Sequence, residues 1–464
     1  MKLSKEEQLA LVGTTDYKTS PKYGWLVAVD TFIGQFVLIV ALQNCYIALD
    51  PIAEDFGVSP ADLGLWVSLM GVTYGLFGVF WGSLCDRIGI RWVLTAAAVL
   101  TGAVMIAIGA FVFDMVVGCV MMALLGIMLA GCDDGVLPKV GTTWFHPSKR
   151  GIAFPIFCVG GSLGGVVCGF IAGPIITSMG WRADFYILGI MCVVLGVVEF
   201  LLIRNSPASI GTVPVGSPEG TPIAPLENAK KTAEKKATSR NLLIAVLKTP
   251  ATYKFGIVMI VWYFWFSCYN AYLVSSAVQV GFSLNEGSFS TSILLITCTI
   301  GQFVWAPMTD KFGRKPIFIL VLVLEGLSSF LLFFLFQMMA NSGEPNVAIL
   351  YVGAAIMGLF VPTAPIMQNS LGEQFKPSMR GTGAGAAATI SCIGRFFGPI
   401  LAAAVIVAFG FDYGYLLFTG ASVIAAAVFV ALLVKNTGGK CGDPMAEIEA
   451  KELGLSVGEI LAEA

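Results

Sequence analysis

Twelve stretches of mostly apolar residues, each about 20 residues or longer, divide this chain. They lie near 24–49, 61–84, 92–113, 115–140, 152–177, 184–203, 253–279, 288–308, 316–339, 347–371, 383–409 and 413–434. At ~1.5 Å per residue each can cross a hydrocarbon layer of roughly 30 Å as a helix. Lipid leaves a backbone no solvent partner, so such stretches must pair their own N–H and C=O groups as helices. Charge is scarce enough to agree: 12% of residues are charged, against about 25% in soluble proteins. The fold class expected is an all-α membrane protein, two six-helix bundles with both termini cytoplasmic. The expected boundaries are an N-terminal segment 1–23, a bundle 24–203, a linker 204–250, a bundle 251–436 and a tail 437–464. The linker is rich in Pro, Gly, Ala and Lys, with room for one surface helix, and the tail is charged and mildly helical.

The halves are duplicates. Gly82-Ser83-Leu84-Cys85-Asp86-Arg87-Ile88-Gly89-Ile90-Arg91 is a tight charged turn between the second and third spans. It returns 224 positions later as Asp310-Lys311-Phe312-Gly313-Arg314-Lys315. Phe145-His146-Pro147-Ser148-Lys149-Arg150-Gly151 returns 230 positions on as Phe375-Lys376-Pro377-Ser378-Met379-Arg380-Gly381. Two landmarks in one order at nearly one offset mark two homologous repeats. Orientation follows from the bases. With a cytoplasmic N-terminus, all but three of the 27 Lys and Arg fall on the cytoplasmic side, eight of them between Arg204 and Lys254. The exceptions are Arg182 outside, and Lys139 and Arg395 in or near the bilayer.

Several classes drop out. A net charge of −2 gives no footprint for nucleic acid. Ten of the eleven cysteines lie in or beside apolar runs, with no paired spacing for metal or redox work. No phosphate-binding Gly-Lys loop appears, so transport driven directly by a nucleotide is not expected. The single histidine, His146, lies in a cytoplasmic loop and offers no intramembrane relay. Residues 1–22 lack a short apolar region and cleavage site, so no signal peptide is expected. Neither an enzyme activity nor a cofactor is expected.

Small residues repeat every four positions at Gly161, Gly165, Gly169 and Gly173, and at Gly71/Gly75 and Gly78/Gly82, as close helix packing in lipid requires. Pro138, and Pro362 with Pro365, predict breaks in the fourth and tenth spans, the corresponding helices of the two repeats.

Twelve spans in two sixes, with Gly82-x-x-x-Asp86-Arg87-x-Gly89-x-Arg91 after the second, resemble the major facilitator superfamily of secondary transporters. In the second repeat Ala306 replaces the first glycine of that motif. Trp144-Phe145-x-Pro147 with Arg150-Gly151, Gly180-Trp181-Arg182 before Phe185-Tyr186, and Ala48-Leu49-x-Pro51-Ile52-Ala53 with Asn44 resemble the anion:cation symporter branch. That branch usually carries Asp-Arg in the first helix, where Ala41-Leu42 stand here. Glu373-x-Phe375-x-Pro377 and Gly394-Arg395-x-x-Gly398-Pro399 look more like aromatic-acid:proton or sugar-type symporters. Drug antiporters of the superfamily usually carry Gly-Pro-x-x-Gly-Gly mid-helix. Here Gly173-Pro174 comes late and Ile176-Thr177 replaces the glycines, which argues for uptake over drug export.

A charge at the bilayer centre costs roughly 2.5–3.5 kcal/mol on insertion scales, so each intramembrane charge needs a partner, a cavity or a function. Arg395 is a permanent mid-membrane cation whose counterpart in the first repeat is Gly165. It is an anchor for a substrate carboxylate or one arm of an ion pair with Glu325 or Asp30. Glu325, Asp30 and Asp134 are candidate proton carriers. Against this, Glu325 could be a Ser-paired structural acid, and Asp30 an acid paired with Lys22 or a linker base. Asp30 shares a stripe with Gly34, Val37, Ala41 and Asn44, and the resemblance implies that the first helix lines the central cavity. Glu199 is expected at the interface and Lys139 to snorkel. In the seventh span Tyr263, Tyr269 and Asn270 are candidate substrate contacts, as are Asn44 and Gln368, while Trp262 and Trp265 are expected to face lipid or its interface.

The turn residues form an expected cytoplasmic gate: Gly82, Asp86, Arg87, Gly89 and Arg91 in the first repeat, Asp310, Lys311, Gly313 and Arg314 in the second, with Arg150 and Arg380. The resemblance implies that Asp133 or Asp134 pairs with Arg87 or Arg91, leaving Asp86 to approach the N-terminus of the eleventh span. The function expected is proton-coupled uptake of a small organic anion, a mono- or aromatic carboxylate, by a monomer embedded in the cell membrane. Its partners would be that substrate, a proton and lipid, without nucleic acid. An exchanger or exporter, or a solute sensor on the same fold, stands as the alternative.

Overall fold

The computed structural model describes residues 13–132, 136–223, 244–361, 366–367, 370, 373–376, 380–409, 414–437 and 444–453. Its helices are α1 (Tyr23–Ile47), α2 (Leu49–Phe56), α3 (Gly64–Ile88), α4 (Ile90–Phe111), α5 (Met115–Leu129), α6 (Leu137–Trp144), α7 (Pro147–Met179) and α8 (Trp181–Leu202). The second half continues with α9 (Pro250–Val280), α10 (Leu284–Phe312), α11 (Arg314–Ser342), α12 (Val347–Phe360), α13 (Arg380–Phe409), α14 (Tyr415–Leu433) and the tail helix α15 (Pro444–Leu453). Ten helices among the described residues are long and apolar enough to cross a membrane, and α5 and α12 are shorter apolar helices in the slots of the fourth and tenth spans. The twelve-span, all-α layout therefore holds. This is a multi-pass membrane protein.

The fourth span is not one helix. It stops at Leu129, passes through a 3₁₀ turn at Ala130–Cys132 and restarts at Leu137 with Pro138 in its first turn, where a missing N–H costs nothing. The tenth span stops at Phe360; Pro362 and Pro365 lie outside the described residues.

The charged turn is tighter than the sequence suggests. Helix α3 runs through the motif to Ile88, and the reversal is a single glycine, Gly89, at φ 92° and ψ 162°. The second repeat does the same at Gly313, with φ 90° and ψ 156°. This backbone region is closed to residues with a side chain. Each glycine is also covered by an asparagine from the end of its repeat's last helix: Asn205 Oδ1 accepts from the Arg91 N–H at 3.1 Å, and Asn436 Oδ1 accepts from the Lys315 N–H at 3.1 Å. This exposes a third echo, Leu201-Leu202-Ile203-Arg204-Asn205-Ser206 against Leu432-Leu433-Val434-Lys435-Asn436-Thr437.

The chain packs as two units. The first comprises Met1–Ala48 and Thr73–Lys235, the second Leu49–Val72 and Lys236–Ala464. Inside the first, α1 lies along α7 and α8, and α4 along α8; inside the second, α9 lies along α13 and α14, and α11 along α14. The pairings match repeat for repeat. The second unit includes a segment that belongs to the first repeat by sequence. There Ser275 Oγ donates to Asp50 Oδ2 at 3.0 Å, and Tyr272 donates to the Pro399 carbonyl at 3.1 Å beside Gly64.

The early linker is folded. The Val215 N–H donates to the Trp144 carbonyl and the His146 N–H to the Val215 carbonyl, at 2.9 and 3.0 Å. Val213 and Ile223 bury a small core with Tyr17 and Ala208. Residues 204–223 are thus structure rather than tether.

Candidate functional site

In the first unit the polar stripe of α1 faces α8. Asn44 Nδ2 donates to Asp184 Oδ2, both residues being fully buried. One end further along, Glu199 Oε1 lies against Gly34, 3.0 Å from where a Cβ would stand. Asp30, one turn from Gly34, is 1% exposed. Burial of Asp30 and Asn44 against α8 corrects the expectation that this stripe lines a cavity. Glu199, expected at the interface, lies one turn before the end of α8 and is 1% exposed, the glycine face of α1 leaving room for its carboxyl.

Asp184 escaped the sequence reading. It is the first residue of the sixth apolar run, at 184–203, and reads as the polar edge of that span. Helix α8 instead starts at Trp181 and turns Asp184 inward. The Asn44 amide in the first span was the only signal for it.

In the second unit, Arg395 is half-buried and its guanidinium carbon lies 3.9 Å over the Tyr263 ring. Gly71 backs it: a Cβ added there would stand 3.6 Å from the Arg395 Cβ. Such a contact uses the aromatic face, while the five guanidinium N–H donors form a planar fork suited to carboxylate or phosphate oxygens. Tyr269 stacks on Trp265, with centroids 5.4 Å apart and planes 9° apart, and its hydroxyl is buried without a hydrogen-bond partner. Asn270 turns back onto its own helix, Nδ2 donating to the Phe266 carbonyl at 2.8 Å. The structure thus joins Arg395 with Tyr263 but occupies the Asn270 amide donor locally. Gln368 lies outside the described residues.

Glu325 is fully buried and accepts from the Trp262 indole N–H, 3.3 Å to each carboxyl oxygen. The Trp265 indole donates to Ser329 Oγ at 3.0 Å. Trp262 and Trp265, expected at lipid, are buried instead; a polar N–H with an inward acceptor makes burial cheaper than exposure.

At the charged turns, Arg91 Nε donates to the Phe200 carbonyl at 2.8 Å, and its guanidinium carbon lies 4.0 Å over the Phe200 ring. The partner of Arg91 is therefore the end of α8. Asp133 and Asp134 lie outside the described residues, as do the side chains of Asp86, Arg150, Asp310 and Arg380. Arg87 and Lys311 are exposed, and Gly82 is half-buried near the end of α3. Arg314 forms a bidentate pair with Glu373, both N···O distances 2.7 Å, and reaches Thr309 Oγ1 at 3.1 Å. Lys139 Nζ caps the Cys85 carbonyl at 2.8 Å, and Arg182, the expected outer cation, caps the Val112 carbonyl at 2.9 Å.

Two matched helical repeats with charges buried inside membrane spans define a solute-transporter fold. The family profile of the Major Facilitator Superfamily matches residues 31–285 and 255–448. The chain belongs to that superfamily. It is 24% identical over 433 residues to the glycerol-3-phosphate transporter of Bacillus subtilis, covering 89% of this chain and 92% of that protein. It is 22% identical over 302 residues to a probable hexose phosphate transport protein of Chlamydia pneumoniae, covering 61% of this chain but only 64% of that one. A crystal structure of a D-xylose-proton symporter superposes with a TM-score of 0.68 at 16% identity, covering 90% of this chain and 99% of the other. That likeness shows the fold.

Proposed function

We propose that the protein is a secondary transporter that takes up a small organic anion, coupled to protons. The observation that carries this is Arg395: an always-charged guanidinium in the middle of a membrane helix, set over Tyr263 at 3.9 Å. A fixed planar cation in low dielectric favours a ligand with paired anionic oxygens. A carboxylate or a phosphate monoester meets that demand, and the names of the relatives, glycerol-3-phosphate and hexose phosphate transporters, support the phosphate ester.

In this reading Arg395 anchors the anion, and Tyr263, Tyr269, Asn270 and Gln368, all of the second unit, shape its surroundings. Asp30, Glu325 and Asp134 are the proton-coupling acids. The Gly89 and Gly313 turns, with Asp86, Arg87, Arg91, Asp310, Lys311 and Arg314, form the cytoplasmic gate. Reconstituted liposomes should accumulate radiolabelled glycerol-3-phosphate, a hexose phosphate or an aromatic carboxylate when the outside is acidified. Accumulation that requires an internal anion and ignores the pH gradient would make the protein an exchanger. Thermal stabilisation of purified protein by these anions, without movement across the bilayer, would make it a sensor.

A further inference from the structure

We propose that Asp30 and Glu199 together form a proton-binding site inside the first packing unit, holding one proton between two carboxyls. Asp30 lies about two turns into α1, and Glu199 one turn before the end of α8. Gly34, one helical turn from Asp30 and on the same face of α1, admits Glu199: a Cβ there would stand 3.0 Å from Glu199 Oε1. Both side chains are 1% exposed, and Asp30 Oδ1, Asp30 Oδ2 and Glu199 Oε2 have no hydrogen-bond partner.

The surroundings supply no counter-charge among the described residues. From α4 come Arg91, whose Nε is on the Phe200 carbonyl, and the neutral Thr95 hydroxyl. From the end of α8 comes Arg204, whose Nη1 bonds the Leu201 and Ile203 carbonyls, and two turns before Glu199 on α8 lies the buried Cys192 thiol. Tyr23 at the start of α1 donates to the Leu202 carbonyl. From α7 the surface is glycine, Gly160 and Gly164 against the α1 backbone and Gly161 near Gln35. Asp133 and Asp134, and the side chains of Cys132 and Cys158, lie outside the described residues.

Two carboxylates desolvated side by side carry a large cost in repulsion and lost hydration. One proton removes most of it. The O–H of one acid donates to an oxygen of the other, two orphaned oxygens become bonded, and the pair keeps a single negative charge spread over both. The titration then belongs to the pair and not to either residue. That Glu199 is the partner of Asp30 goes beyond the coupling set above; use of this proton in transport rests on that reading, whereas its presence does not.

The test is pH-difference infrared spectroscopy of the full chain in liposomes, without substrate and in potassium buffer. Wild type should show a hydrogen-bonded acid carbonyl band that titrates. Asp30→Asn and Glu199→Gln should each displace both the band and its midpoint, by about one pH unit or more, whereas Glu325→Gln should leave them in place. Gly34→Ala, which keeps both acids but crowds them apart, should also move the midpoint. A band lost in one amide variant and unmoved in the other would assign the proton to a lone acid and overturn the pair. Sodium abolishing the band at constant pH would overturn it in favour of a metal cation. Gradient-independent transport with the band intact would remove the coupling reading and leave the site; gradient-driven transport with no band would do the reverse.

Discussion

The two repeats share a scaffold and differ in where they put charge. Gly102 and Gly189 bring α4 against α8, and Gly326 and Gly420, at the same places in the second repeat, bring α11 against α14. Gly89 with Asn205 and Gly313 with Asn436 reverse the chain with the same angles and the same 3.1 Å bond. On this common frame the first unit buries both Asp30 and Glu199, with no cation on either among the described residues. The second holds one acid, Glu325, against an indole N–H and adds the guanidinium of Arg395. The cytoplasmic corners diverge likewise, since Arg91 bonds a carbonyl where Arg314 clasps Glu373. Duplication preserved backbone geometry, which tolerates few residues, and released side-chain charge, which only function constrains.

The largest expected effect tests the cation. Arg395→Lys keeps the charge but loses the planar fork, and should weaken anion binding about tenfold or more; Arg395→Gln should approach hundredfold. Thermal stabilisation of purified protein by phosphate esters and carboxylates measures this, and full affinity in the lysine variant would sink the anchor.

Next come the paired turns. Gly89→Ala should destabilise by about 2–4 kcal/mol, from positive φ and overlap with Asn205, 2.5 Å from the added Cβ. Gly313→Ala should cost only about 1–2 kcal/mol, since Asn436 stands further off at 3.0 Å. Unfolding in detergent would compare them, and equal losses would erase the difference between the corners.

Trp262→Phe should cost about 1–3 kcal/mol by removing the indole donor from Glu325. Adding Glu325→Leu should recover most of that loss; no recovery would mean that the indole acts by packing alone. The smallest effect is expected at Asp184→Asn, where an amide can still bond Asn44, within ~1 kcal/mol of wild type. Asn44→Leu, which leaves the Asp184 carboxyl buried without its donor, should cost more.

Much of the fold was legible because lipid makes the code simple. Long apolar runs and a doubled turn give spans and repeat without any tertiary information. The site was legible only in part. Arg395, Asp30 and Glu325 stood out because a charge inside an apolar run is rare. Asp184 did not, for it lies at the edge of its run. Trp262 and Trp265 were assigned to lipid because hydropathy carries no information about which side of a helix faces in.

By itself, then, the sequence determined that this chain spans a membrane twelve times as two homologous sixes, and which few residues are charged within it. Tertiary structure alone decided which charges meet. Helix rotation and the glycine contacts between helices set Glu199 against Gly34, and turned Asn44 to Asp184 and Arg395 to Tyr263. Those pairings depend on distances of a few ångströms between segments 140 or more residues apart for Asn44 and Asp184, and no local pattern encodes such distances.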